Sequence, residues 1–222
     1  MSEVNLVSLS KPSAYTECNS ANELVAWAAR VSNPSNQNNT ATAPKLVQYL
    51  IKNKHWSPLE MVHVAMEIKT TRDIARQILR HSSFRFQEYS QRYADPTQDL
   101  GFVIREARLQ DAKNRQNSVD VEDSRLQEEW AMKQVTATDA ALDAYEWAIE
   151  NGIAKEQARS VLPEGNTVSR LFANATLRSW IHYIELRTGN GTQLEHIELA
   201  REIALNISNI FPMTKEFIAD GS

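Results

Sequence analysis

Hydrophobic and polar residues change their period several times along this chain, and each change marks an element. Between 21 and 31, Leu24, Val25, Ala28 and Ala29 recur at helical spacing behind Asn19 or Ser20, either of which can cap the first turn. Residues 33–42 are rich in Asn, Ser and Thr and read as a loop, and 45–52 resume a helical pattern. From 62 to 68 the period drops to two, with Val62, Val64, Met66 and Ile68 alternating with His63, Ala65 and Glu67 as in a half-buried strand. A helix capped by Thr70 or Thr71 follows, with Ile74, Ile78 and Leu79 on one face and Arg72, Arg76 and Arg80 in a row on another. Residues 84–93 alternate again, Phe84 and Phe86 against Arg85 and Gln87, which predicts a second strand or extended stretch.

The segment 95–122 is polar throughout and reads as a mixture of loop and helix, as the first residues of the chain read as irregular. A long helix is predicted over 124–150 from Leu126, Trp130, Ala137, Ala141, Tyr145 and Ala148, stopped by Asn151-Gly152. A short helix from 154 ends at Pro163; a strand over 168–176, a helix over 177–187 closed by Gly189-Asn190-Gly191, and a last long helix over 193–210 complete the chain. Strands interleaved with helices argue for a mixed α/β or α+β fold.

Composition narrows the class. With 222 residues, 42% of them hydrophobic and 23% charged, the chain can bury a substantial core, and one large domain is expected. The N-terminal residues lack the basic start and apolar run of a signal peptide, and no segment approaches the length of a membrane span, so a cytoplasmic protein is expected. The lone Cys18 cannot form an internal disulfide, and Glu17 and Asn19 beside it do nothing to promote a thiolate. Against a net charge of -4, residues 69–92 hold Lys69, Arg72, Arg76, Arg80, Arg85 and Arg92 and only Asp73 and Glu88, a local excess that points to an anionic ligand.

Arginine suits that task because its rigid fork of donors stays charged at working pH. Arg80, Arg85, Arg92, Arg159, Arg178 and Arg187 are the candidates, while Arg105, Arg108, Arg115 and Arg201 read as ordinary surface partners of nearby acids. The row Arg72, Arg76, Arg80 stacks like charges, a cost of about a few tenths of a kcal/mol per pair that anions or carboxylates across from the row would recover. His81, next to Arg80, is held toward its neutral form, and can be either a cofactor-binding or a satisfied half-buried histidine. His55, His63, His182 and His196 lack the spacing of a zinc site; His63 and His196 are expected to face solvent. Glu88, Ser90 and Arg92 share one face if their segment is extended. There is no Gly-rich phosphate loop and no serine nucleophile elbow.

These residues recur in an order that resembles a known family. Gln77, Arg80-His81 and Gln87-Glu88-x-Ser90-x-Arg92-Tyr93 are similar to the signature of the flavin-dependent thymidylate synthases, Arg-His-Arg-x-x-Ser-x-Asn-Glu-x-Ser-x-Arg. Upstream, His55-x-Ser57-Pro58-x-Glu60 resembles the family's His-x-Ser/Thr-Pro-x-Glu segment. Downstream, Ala158-Arg159-x-x-Leu162-Pro163, Leu177-Arg178-Ser179-Trp180-x-His182, and Leu186-Arg187 with Gln193 and Glu195 fit its later blocks.

The resemblance implies an α+β fold with a central, mostly antiparallel sheet flanked by helices, in a single domain over residues 1–222. It implies reductive methylation of dUMP to dTMP with FAD, NADPH and methylenetetrahydrofolate, using hydride from reduced flavin and no cysteine nucleophile. Arg187 falls to the uracil ring as the catalytic residue, and Gln77, Arg80, Glu88, Ser90, Arg92 and Arg159 to the nucleotide. Ser57, Arg80, His81, Ser82, Arg85, Glu88, Arg178 and His182 fall to FAD. A homotetramer with active sites at subunit interfaces is implied too; no metal, nucleic acid or membrane is expected.

The chain departs from the family pattern at four positions. Ser82 stands at the third position of Arg-His-Arg and Arg85 at the first Ser, which predicts a guanidinium moved by three positions that still reaches flavin or nucleotide phosphates. Thr176 replaces a common Asn and Gly191 a frequent His. Two rival readings are a related flavin enzyme acting on another pyrimidine nucleotide, and a nucleic-acid-binding protein stacking bases on Phe84, Phe86, Tyr89 and Tyr93.

Overall fold

The computed structural model describes residues 2–215. In chain order its elements are β1 (Glu3–Leu9), α1 (Ala21–Ala29), α2 (Ala43–Lys52), β2 (His63–Thr71), α3 (Arg72–Ile78), β3 (Arg85–Glu88), α4 (Pro96–Asp99), β4 (Arg108–Gln110), β5 (Ser118–Asp120), α5 (Ser124–Glu150), α6 (Lys155–Ala158), β6 (Val168–Thr176), α7 (Leu177–Arg187) and α8 (Leu194–Ile210). The fold is α+β: a four-stranded antiparallel sheet of order β1-β2-β6-β3, with helices packed against it.

Period-two alternation makes one sheet face apolar. Val64, Met66 and Ile68 of β2 lie opposite Ala175, Ala173 and Leu171 of β6, and all are buried. Against them pack Val25 of α1, Val47 and Ile51 of α2, Ile74 and Ile78 of α3, Trp180 and Ile184 of α7, and Leu199, Ile203 and Ile207 of α8. Trp180 is wholly buried, and its indole N–H donates to the Val64 carbonyl at 2.9 Å, satisfying its one polar atom. The other face is polar; there Arg170 pairs with Glu67 and lies over the Phe172 ring.

Several boundaries follow from local chemistry. The Ser20 hydroxyl caps α1 by accepting the Glu23 N–H, and Asp123 caps α5 by accepting from Arg125 and Leu126. At the other end of α5, Gly152 takes φ +75°. There Ile153 N–H bonds the Ala148 carbonyl and Gly152 N–H the Ile149 carbonyl, the Schellman closure that favours glycine. Thr71 stands at the cap position of α3, but its hydroxyl donates to Asp73 instead; the Thr167 and Glu164 carbonyls take the first free N–H groups of that helix.

Three expectations need correction. The N-terminal residues form an edge strand, β1, whose register shifts between Leu6 and Ser8, which hides its alternation. The 95–122 segment holds the short helix α4 and a two-stranded ribbon, β4 with β5, rather than only loop and helix. On α5 the buried seam is Gln134, Thr138, Ala141, Tyr145 and Ala148, whereas Leu126 and Trp130 are exposed. Polar side chains hold that part of the helix down. Gln134 accepts from the Arg105 N–H at 3.0 Å and donates to the Arg105 carbonyl at 2.7 Å. Gln127 does the same for Ala107, at 2.7 and 3.0 Å. The two glutamines stand in for a neighbouring strand and clasp the extended 105–107 segment. Among the described residues no helix is long and apolar enough to cross a membrane.

Candidate functional site

The α3 helix stops at Ile78, and the chain turns so that His81 lies under the C-terminal end of α7. There Arg187 Nε donates to His81 Nε2 at 3.0 Å, and Arg187 Nη2 reaches the Gln77 carbonyl at 3.5 Å. His81 Nε2 is therefore an acceptor, and the ring carries its proton on Nδ1. Burial first, then the Arg187 and Arg80 guanidinium groups, hold the His81 pKa down to about 4. Neutrality was expected from Arg80; burial and Arg187 are the larger causes. Tyr183 and Phe84 pack edge-on to the imidazole, with ring centroids 4.9 and 5.8 Å away.

Behind this pair runs a polar chain, buried at Tyr183 and His196 and half-buried beyond, that the sequence did not disclose. Tyr183 Oη lies 2.9 Å from His196 Nε2, and His196 Nδ1 lies 3.0 Å from Gln77 Oε1. Gln77 donates to Gln193 at 2.9 Å, Gln193 donates to Glu195 at 2.9 Å, and Arg108 donates to Glu195 at 2.6 Å. His196 does not face solvent but is 0% exposed, and burial, Arg187 and His81 hold its pKa down to about 3. Its position was legible: 196 continues the buried stripe 199, 200, 203, 204 and 207 of α8. Arg108 and Arg105 do pair with acids, Glu195 and Asp73, but with side chains only 19% and 20% exposed, so neither is the surface arginine expected.

Both histidines titrate below the free value of about 6.5. Between those pH values the unfolded chain binds protons that the folded chain refuses, so this contribution to stability is complete above about 6.5 and is lost as pH falls toward 4 and 3. Fully buried His196 contributes the steeper share, about 1.4 kcal/mol per pH unit at most, and half-buried His81 less because solvent screens it. The urea midpoint is expected to drop between pH 7 and pH 5; an unchanged midpoint contradicts the neutral assignment.

A second group gathers at the start of α7. Arg178 pairs with Glu60, His182 meets the Trp56 ring edge-on at 4.6 Å, and exposed Ser57 opens the 3-10 turn Ser57–Met61. Arg178 and Arg187 stand nine residues apart on one helix, about 13 Å along its axis and on opposite faces. The helix thus serves two groups rather than one.

A third group lies on and after β3. Glu88 accepts from the Ser169 hydroxyl at 2.8 Å and faces Arg72 at 3.7 Å. Arg76 pairs with Glu164, so carboxylates do lie across from the arginine row; Arg80, past the helix end, is exposed. Glu88, Ser90 and Arg92 do not share a strand face. The strand ends at Glu88 and the chain turns at Ser90, whose oxygens accept from Arg92 and Tyr93 N–H groups. Arg92 instead pairs with Glu156 of α6 at 3.0 Å, three residues before Arg159 in the chain. Arg85 Nη1 donates to the Ser82 carbonyl at 3.1 Å and the Phe84 carbonyl at 2.8 Å. The guanidinium therefore returns to the backbone of residue 82. Phe84 and Phe86 stack on each other within or against the core, which removes them as base-stacking platforms. Among the described residues, no side-chain hydrogen bond or ion pair joins one group to another.

The donor set suits an anionic dinucleotide and a mononucleotide. Exposed Arg80 and Arg85 and half-buried Arg178 offer cations for a diphosphate, Trp56 and His182 offer ring faces, and exposed Arg92 offers a further cation.

A family model described as thymidylate synthase complementing protein matches residues 14–213. A probable flavin-dependent thymidylate synthase of Paramecium bursaria Chlorella virus 1 is 50% identical over 195 residues, 88% of each chain. A flavin-dependent thymidylate synthase of Synechocystis sp. is 46% identical over 211 residues, 94% of each chain. A solved structure of a UMP/dUMP methylase from Streptomyces cacaoi, bound with 5-Br dUMP, aligns with a TM-score of 0.79 at 25% identity, covering 99% of this chain and 95% of that one.

Proposed function

The chain belongs to the thymidylate synthase complementing protein family, the flavin-dependent thymidylate synthases, and from that premise we propose that it is the enzyme that methylates dUMP reductively to dTMP. Methylenetetrahydrofolate is the carbon donor and NADPH the reductant. The observation that carries the reading is the Arg187 guanidinium, oriented by neutral His81 and the Gln77 carbonyl with donors left over for a ligand.

Arg187 donates to the carbonyl edge of the uracil and stabilises the negative charge that develops there. Arg92 and Arg159 hold the nucleotide phosphate, with Gln77, Arg80, Glu88 and Ser90 completing its site. Ser57, Arg80, His81, Ser82, Arg85, Glu88, Arg178 and His182 hold FAD, which when bound supplies hydride. No thiol is required: the half-buried Cys18 thiol donates to the Thr16 carbonyl in its own turn. The protein acts in the cytoplasm as one domain over 1–222 and assembles as a homotetramer whose sites combine subunits. What supports assembly is the separation of the three groups and the apolar side chains exposed on α5 and the ribbon, Leu109, Val119, Leu126, Trp130 and Met132.

The test is incubation with FAD, NADPH, methylenetetrahydrofolate and dUMP or UMP, with product identified by mass. Methylated dUMP is expected; no methylated product overturns the reading. A second reading, in which UMP is also a substrate, draws on the similarity to the UMP/dUMP methylase, and the UMP arm decides it.

Arg85 stands in for the arginine absent at 82. Arg85→Ala is expected to weaken FAD or dUMP binding by about tenfold, the scale of one charge-assisted hydrogen bond. Adding Ser82→Arg to that variant is expected to restore binding. Unchanged dissociation constants in the single variant would remove Arg85 from the site.

A further inference from the structure

The polar chain behind Arg187 has a direction, and its half-buried end dictates it. Arg108 can only donate, and the Glu195 carboxylate can only accept. Burial pushes the Glu195 carboxyl up, but a main-chain N–H, the Gln193 amide and Arg108 outweigh it and hold the group below its ordinary range, hence ionised. Gln193 must then turn its NH2 toward Glu195 and its oxygen toward Gln77. Gln77 must donate to that oxygen, which turns its own oxygen to His196. Neutral His196 must donate from Nδ1, leaving Nε2 to accept the Tyr183 hydroxyl proton. Burial raises the Tyr183 pKa, so that proton stays on the oxygen.

We propose that Glu195 is a positioning residue whose carboxylate sets the donor–acceptor direction of this chain and so fixes which way the Gln77 amide faces the nucleotide. The inference rests on the assignment of Gln77 to the pyrimidine nucleotide. Gln77 spends one N–H on Gln193 and one lone pair on His196. The remaining N–H and lone pair are offered in one fixed order. An amide held the other way offers a donor where the nucleotide needs an acceptor.

Glu195→Gln tests this with almost no change in shape. Arg108 would claim the new amide oxygen, so the new NH2 would donate to Gln193 and every later bond would reverse, ending with His196 protonated on Nε2. Long-range 1H–15N correlations on histidine-labelled protein read the tautomer directly, with His196 assigned through the loss of its signal in His196→Asn. The wild type is expected to show the Nδ1–H form, the minor one in water. Glu195→Gln is expected to show the Nε2–H form, with dUMP binding weakened about tenfold and FAD affinity unchanged. Arg108→Ala, which leaves an acceptor at 195, is expected to keep the wild-type tautomer. An Nε2–H ring in the wild type, or an Nδ1–H ring retained in Glu195→Gln, overturns the proposal, and the wild-type spectrum alone decides if the variant does not fold. If Gln77→Ala leaves dUMP affinity unchanged, the nucleotide role of Gln77 fails while the tautomer result stands.

Discussion

Replacing Arg187 with alanine is expected to lower kcat for dUMP methylation by about 10²- to 10³-fold, the loss that follows removal of one donor aimed at developing charge in a site that excludes water. Flavin absorbance and the thermal midpoint change little, because Arg187 is half-buried and its bonds in the free protein are those to His81 Nε2 and the Gln77 carbonyl. The loss therefore falls on kcat more than on flavin loading. Lysine at 187 keeps the charge but not the fork, and is expected to recover only part of the rate. The substitution also reports on His81. Arg187 is the second cause of its low pKa after burial, so in the alanine variant the imidazole titrates above 4 but still below its free value. A kcat within about twofold of wild type removes Arg187 from the chemistry. A His81 pKa that stays at about 4 means that burial and Arg80 set it without Arg187.

What the sequence disclosed depends on how one-sided each environment is. The strand β6 and the helix α7 match their predicted limits of 168–176 and 177–187, because each buries one face and exposes the other. The ribbon of β4 and β5 escaped notice because it has no buried face: Leu109 and Val119, paired across it, are 49% and 45% exposed. The limits of α5 were legible, but not its seam, since the N-terminal part of the helix is held by two amides, Gln127 and Gln134, that bond a distant backbone. At the site, the motifs that resemble the family assigned Gln77 and Arg187 to the nucleotide and His81 to FAD, three residues that hydrogen bonds of Arg187 join in the fold. They did not disclose that Glu88 and Arg92 diverge at the Ser90 turn, or that His196 is core. Polarity outweighed position for His196, although its place on the stripe was the better guide.

Replacing both Gln127 and Gln134 with leucine is expected to cost stability on the order of 4 kcal/mol, a large part of the 5–15 kcal/mol that holds a typical domain. The substitutions keep side-chain size but orphan five backbone groups, the N–H and carbonyl of Arg105 and of Ala107 and the carbonyl of Val121. A buried group left without its partner costs about 1–3 kcal/mol, and water can rescue some of them at the half-exposed Gln127 end. Asn166, whose side-chain amide also donates to Gln134, adds a further loss. The damage should not stay local. The clasped segment carries Arg105, which pairs with Asp73 and Thr71 at the head of α3, and leads into Arg108, which holds Glu195. Loosening it frees the Arg108 end of the polar chain behind Gln77 and the head of α3 that carries Gln77, so dUMP binding should weaken in the same variant at temperatures where it remains folded. Glu146→Gln, at an exposed position of the same helix, is the control and should change stability by no more than about 0.5 kcal/mol. Urea midpoints for the three proteins decide it: if the double variant matches the control, the two glutamines do not hold the segment, and the placement of Arg105 and Arg108 needs another cause.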